Sequence, residues 1–211
     1  MSVSDPFTLP DLCRQRVTAL LGSGNRRILG IAGAPGAGKS SLAQAIARQF
    51  GESVQVVPMD GFHLANSELL RLGRRGRKGA PDTFDAAGYL NLMHRLKHQA
   101  ADEVVYAPDY SRDAGEAIAG AIAVGPTTPL IVTEGNYLLQ QDAPWNKLRG
   151  MLDEIWFLNV SDDLRRERLL ARHMRFGRTE QQARDWVTHT DEPNALRIGQ
   201  GRTRADVQVT W

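Results

Sequence analysis

The sequence predicts an α/β fold in three layers, a mainly parallel sheet covered by helices on both faces. Three observations lead there. Short apolar runs of strand type alternate with longer amphipathic stretches of helical period. A glycine-rich segment joins the first such run to the first strong helical pattern. The 211 residues show no repeat, low-complexity block or linker, so residues 1–211 read as one domain. Strands alternating with helices call for right-handed crossovers between parallel strands.

The elements follow in order. Cys13, Val17 and Leu20 mark an amphipathic N-terminal helix. Residues 28–32 form a buried-strand run ending in glycines, and Leu42, Ile46 and Phe50 stripe the helix after it. Residues 54–57 are the second strand. Leu90, Met93 and Leu96 line the core side of a helix whose polar side carries His94 and His98. Residues 130–133 and 155–160 supply the third and fourth strands. Ser161 is then an N-cap and Asp162 and Asp163 first-turn acids, for a helix through about Arg172. A helix containing Trp186 follows and gives way to a turn over residues 190–195. Residues 206–210 add an edge strand. Ligands of such sheets bind beyond the carboxyl ends of the strands, so those ends carry the chemistry.

Composition narrows the classes. Lys+Arg 26 against Asp+Glu 24 leaves +2, which argues against a uniform basic coat for duplex DNA. An apolar fraction of 42% argues against disorder. The single Cys13 excludes a disulfide framework and a Cys-rich zinc site. The longest uncharged stretch, residues 117–133, contains Gly120, Gly125, Pro126 and Pro129, unlike a membrane helix. No export-leader pattern opens the chain, so a cytoplasmic protein is expected. The oligomeric state is left open, a homodimer included.

After the first strand comes Gly33-Ala34-Pro35-Gly36-Ala37-Gly38-Lys39-Ser40, which fits G-x-x-x-x-G-K-[ST] at every fixed position. Glycines let successive N–H groups turn inward around phosphate oxygens, and the following helix adds its positive dipole end. Lys39 is set to reach the β- and γ-phosphates, Ser40 to meet Mg²⁺, and Ser41 to complete the nucleotide contacts. The glycine spacing excludes the dinucleotide pattern. A P-loop NTPase-type domain binding a nucleoside triphosphate is therefore expected.

The next two strand ends each offer an acid followed by glycine, Asp60-Gly61 and Glu134-Gly135. One carboxylate can orient a hydroxyl and the other help hold Mg²⁺. The competing reading is that each acid merely caps its loop. Two arginine-rich segments are also set apart. Residues 71–79 form a basic loop with Arg71, Arg74, Arg75, Arg77 and Lys78, either a solvated surface or an attractor of an anionic substrate. RNA binding there is disfavoured because no aromatics are interleaved. Residues 165–180 carry Arg165, Arg168, Arg172, Arg175 and Arg178, with a break at Gly177.

The P-loop, Met59-Asp60-Gly61-Phe62-His63, Lys78-Gly79-Ala80-Pro81-Asp82-Thr83-Phe84-Asp85 and Thr133-Glu134-Gly135 together resemble the uridine kinase, phosphoribulokinase and bacterial pantothenate kinase superfamily. The resemblance runs from about Arg27 to the C-terminus. It implies an ATP- and Mg²⁺-dependent kinase in which Asp60 takes or orients the acceptor hydroxyl proton and Glu134 supports the metal. His63, Tyr110 and Arg112 become substrate-contact candidates with Asp60 and Glu134. Residues 165–180 become an arginine-rich helical lid, with Arg172 and Arg175, beside the break, as its catalytic arginines. Asn194 either faces the adenine or ribose or simply closes a turn. The chain lacks the long N-terminal extension of the pantothenate kinases, the lid sequence of uridine kinases and the length of phosphoribulokinases. It is placed in a compact branch whose acceptor is a sugar or nucleoside hydroxyl, a pantothenate-like alcohol being the other option. The alternative of another class, a regulatory or chaperone-type NTPase acting on a protein partner, needs a water-positioning residue and an apolar switch surface. Neither is legible.

Overall fold

A computed structural model describes residues 8–211. Residues 1–7, on which the export-leader reading partly rests, lie outside the described residues. The chain runs α1 (Asp11–Leu21), β1 (Arg27–Ala32), α2 (Lys39–Phe50), β2 (Val54–Val56), α3 (Asn66–Arg71), α4 (Ala86–Lys97), β3 (Val105–Ser111), β4 (Glu116–Val124), β5 (Leu130–Gly135), β6 (Glu154–Asn159), α5 (Asp162–Arg175), α6 (Glu180–Trp186), α7 (Glu192–Gly199) and β7 (Val207–Thr210).

Five strands pair in the order β2-β5-β1-β6-β7, every neighbouring pair parallel. Strand alternation separates two cores. Ile28, Ile131 and Ile155 face α4, while Leu29, Leu130 and Trp156 face α1 and α2. Each fully buried Leu or Ile contributes on the order of 1.5–3 kcal/mol, which fixes the register of the central strands. The expected three-layer fold, with β7 at the edge, is therefore present. Cys13 is buried on α1, and burial pushes its thiol up to about 11.

Two features depart from the sequence reading. Residues 105–124 form an antiparallel hairpin of β3 and β4 outside the main sheet. Its register shifts around Pro108, which has no N–H to give the ladder. Residues 190–195 are not a turn. α6 passes through a π-helical turn, Val187–Asp191, directly into α7, with Pro193 in the first turn where its missing N–H costs nothing. Among the described residues no helix is long and apolar enough to cross a membrane.

Candidate active site

β1 and β5 lie side by side with Ile31 opposite Glu134, so both strands end at one rim. β2 ends next to β5, and a 3-10 turn, Met59–Phe62, carries Asp60 over the same rim. The glycines after the two acids permit this approach. A Cβ on Gly135 would lie 2.6 Å from Met59 Cβ, and one on Gly61 would lie 2.4 Å from the Pro108 carbonyl oxygen. Acid-then-glycine is thus a packing requirement: it draws two strand ends together and seats the hairpin above them.

The P-loop is braced from outside. Gly36 has φ +79°, and a Cβ there would meet the Arg165 carbonyl at 2.7 Å and Leu169 Cγ at 2.9 Å, so α5 rests on the loop. Within it, Lys39 Nζ donates to the carbonyls of Gly33 (2.9 Å) and Ala34 (3.1 Å) and to Asn136 Oδ1 (2.8 Å). Burial lowers the Lys39 pKa, opposed mainly by Glu134 and Asp60. Ser40 Oγ donates to Glu134 Oε1 at 2.8 Å. Burial and the neighbouring Asp60 raise the Glu134 pKa, with Lys39 opposing. Burial thus disfavours the charged form of both groups, and each favours the other's charge.

One cavity of about 860 Å³ collects these groups. Pro35, Gly36, Gly38, Lys39, Ser40 and Ser41 form its floor, with Asp60 and Glu134 at one side. Gly33 and Ala34 contribute through the carbonyls that hold Lys39. Ala37 is buried, its carbonyl receiving Arg168 Nη1 at 3.3 Å. His63, Tyr110 and Arg112 line the same cavity. Arg112 Nη2 is 3.7 Å from Asp60 Oδ2, and His63 Nε2 is 3.9 Å from Asp60 Oδ1. The His63 ring stacks on Phe84 at 4.0 Å, and its buried Nδ1 has no hydrogen-bond partner. Asn194 lines the cavity from α7.

The lid arginines divide. Arg165 is buried and paired with Asp162 and Glu192, a structural anchor. Arg168 and Arg172 face the cavity, and burial disfavours the Arg172 charge. The structure does not bring Arg175 there. It is exposed at the last position of α5, 5.9 Å from the Phe176 ring centroid, and Gly177 with φ +91° follows. Arg178 takes that place instead, its guanidinium 3.6 Å over the Trp186 ring and its buried Nη1 without a partner. Lys78, Arg168 and Arg178 stood in the sequence only as members of their basic segments, and Asn136 and His173 line the cavity with no role assigned from sequence. The Gly177 break was the available signal for Arg178.

Residues 28–196 match the family model described as Phosphoribulokinase / Uridine kinase family. The chain belongs to this family. Within the phosphoribulokinase/uridine kinase family it is similar to a crystal structure of a "putative fructose transport system kinase" from Silicibacter sp. TM1040. That similarity is 40% identity and TM-score 0.82, over 95% of this chain and 97% of that one. It is 33% identical to a "putative uridine kinase" of Schizosaccharomyces pombe, over 91% of this chain and 86% of that protein. It is 34% identical to uncharacterized protein YggC of Escherichia coli, over 87% and 77%. As a phosphoribulokinase/uridine kinase family member the chain is a small-molecule kinase on a P-loop fold.

His63 also makes the protein acid-sensitive. Burial brings its pKa down from 6.5 to about 4. Between those values the unfolded chain binds a proton that the folded one does not, so stability falls as pH drops through that window. The loss is on the order of 3 kcal/mol. In urea titrations the stability difference between wild type and His63→Gln is expected to shrink by that order from pH 7 to pH 4. A difference independent of pH would contradict a neutral buried imidazole.

Proposed function

We propose that this kinase uses ATP with Mg²⁺ to phosphorylate an alcohol group of a small metabolite in the cytoplasm. A sugar or nucleoside is the first acceptor class and a pantothenate-like alcohol the second. The observation that carries this reading is that Asp60 lines the same cavity as Lys39, Ser40 and Glu134, under Arg168 and Arg172.

The donor set suits the metal. A serine hydroxyl and a buried carboxylate in contact are hard oxygen ligands, and Mg²⁺ in kinase sites uses one or two carboxylates alongside phosphate oxygens. Ser40 and Glu134 would hold it, and bound Mg²⁺ would offset charge on the phosphate oxygens. Lys39 and the loop N–H groups receive the triphosphate, and Arg168, Arg172 and Arg178 close on it and exclude water. Asp60 accepts the hydroxyl proton and holds that oxygen in line, with Arg112, His63 and Tyr110 fixing the rest of the acceptor. Phosphoryl transfer asks mainly for such positioning. Asn194 sits at the nucleotide's base or ribose.

ADP formation measured with and without a panel of sugars, nucleosides and pantothenate tests this. Turnover is expected to depend on one acceptor class. Hydrolysis indifferent to every alcohol but raised by a protein partner would contradict it.

A further inference from the structure

We propose that the acceptor is itself an anion: the molecule bearing the reactive hydroxyl also carries a carboxylate or phosphate, which Arg75 and Lys78 receive. This rests on the kinase reading above and narrows its acceptor from free sugars and nucleosides to sugar acids, sugar phosphates and pantothenate-like carboxylates.

The basic loop is built selectively. Arg71 is neutralised by Glu68 (Nη2 to Oε1 2.6 Å), and Arg74 and Arg77 by Asp82, all away from the cavity. The two cations left, Arg75 and Lys78, both line it. Lys78 is 9% exposed and fixed at 2.8 Å on both Asn66 Oδ1 and the Gly115 carbonyl, leaving one N–H of its three. Its nearest carboxylate, Glu116, stands 3.8 Å off and already receives the Asn66 N–H. Arg75 is exposed, and its guanidinium makes no hydrogen bond or ion pair among the described residues, while its carbonyl accepts from the Lys78 N–H at 3.4 Å. Burial disfavours the Lys78 charge and Arg75 adds to this, with Glu116 opposing. Two like charges brought together at a cavity wall favour an anion between them.

These cations belong to the acceptor end. Lys78 Nζ lies 5.2 Å from the Tyr110 ring centroid, Tyr110 lies 4.9 Å from His63, and His63 adjoins Asp60. Lys39, at the phosphate end, feels Glu134, Asp60, Arg172 and Arg112 instead. Seven Lys or Arg side chains line the cavity against three carboxylates, more than the phosphate end alone accounts for. The competing occupant is the nucleotide's own terminal phosphate, since Arg178 also feels Arg75. A neutral acceptor in the smaller cavity of about 320 Å³, lined by Gln44, Gln55 and Asp109 beyond Asp60, would not depend on Arg75.

The test compares matched alcohols in calorimetric binding and steady-state turnover with ATP. The pairs are D-glycerate with glycerol, fructose 6-phosphate with fructose, uridine monophosphate with uridine, and pantothenate with pantothenol. The charged member of at least one pair is expected to be preferred about tenfold or more in kcat/KM. Arg75→Ala, which removes no contact of the fold, should then raise the acceptor KM about tenfold while kcat and the KM for ATP stay within about threefold. Arg75→Lys should recover most of the loss. The proposal is overturned if no pair favours its charged member, or if Arg75→Ala shifts the KM for ATP and not that of the acceptor. Neutral members phosphorylated as well as their anionic partners in every pair leave the kinase reading standing and remove only this one. ATP consumption that answers to no alcohol removes both.

Discussion

Asp60→Asn is expected to lower acceptor-dependent turnover by about 10²- to 10⁴-fold, the usual worth of a positioned general base. The amide keeps the shape of the carboxylate, and the turn that carries it is held elsewhere. Met59 packs against Gly135, and the His63 N–H donates to the Asp60 carbonyl at 3.1 Å. What the amide loses is the capacity to accept the hydroxyl proton and the attraction for Arg112 at 3.7 Å. The KM for ATP should stay within about threefold, because the phosphate floor is untouched. Steady-state kinetics on both substrates separate these effects. Turnover near wild type would remove Asp60 from the reaction.

Lys39→Met is expected to cost about 10²- to 10³-fold in turnover, the scale of losing one preorganised group at developing charge. It should also abolish the rise in melting temperature on adding ATP. Its effect on the unliganded fold is smaller, since two terms oppose. The substitution leaves the carbonyls of Gly33 and Ala34 and the Asn136 amide oxygen without their donor, but it also withdraws a cation whose charge burial disfavours. Differential scanning calorimetry with and without nucleotide reads both. An undiminished shift with ATP in the variant would mean that the loop does not bind phosphate through Lys39.

The parts of this molecule legible in the sequence are those whose signal is local. The run from β1 through Gly33–Ser40 into α2 is specified by backbone and dipole requirements at fixed spacing. The cap at Ser161, which accepts from the Leu164 N–H, opened α5 where expected. Asp60 and Glu134 were legible because an acid followed by glycine at a strand end marks a place where chains must approach. The hairpin of β3 and β4 was not found. Its alternating Ala and Ile residues, with Ile118, Ile122 and Val124 in period two, lie among glycines and prolines that blur the strand pattern, and Pro108 interrupts β3. Nearness to the Gly177 break makes Arg175 look equivalent to Arg172 in the sequence. Arg175 is exposed at the last position of α5, while Arg178, past Gly177, stacks over Trp186, a tertiary contact no spacing encodes. The turn expected over residues 190–195 is instead a π-helical turn running into α7, with Pro193 in the first turn of α7 and buried Asp191 at 2.7 Å from His173. The basic loop shows the same limit. Its five cations are indistinguishable in sequence, and only the positions of Glu68 and Asp82 separate the three that are spent from the two that face the cavity.

The central claim is that the γ-phosphate passes to a carbon-bound hydroxyl held by Asp60 and not to water. Transfer of label from γ-³²P-ATP, followed by separation of organic phosphate ester from inorganic phosphate, measures this most directly. With a productive acceptor present, the account predicts label in the ester in step with ADP, and its loss in Asp60→Asn while ATP still binds. Label appearing only as inorganic phosphate across the acceptor panel, equally in wild type and Asp60→Asn, would contradict it.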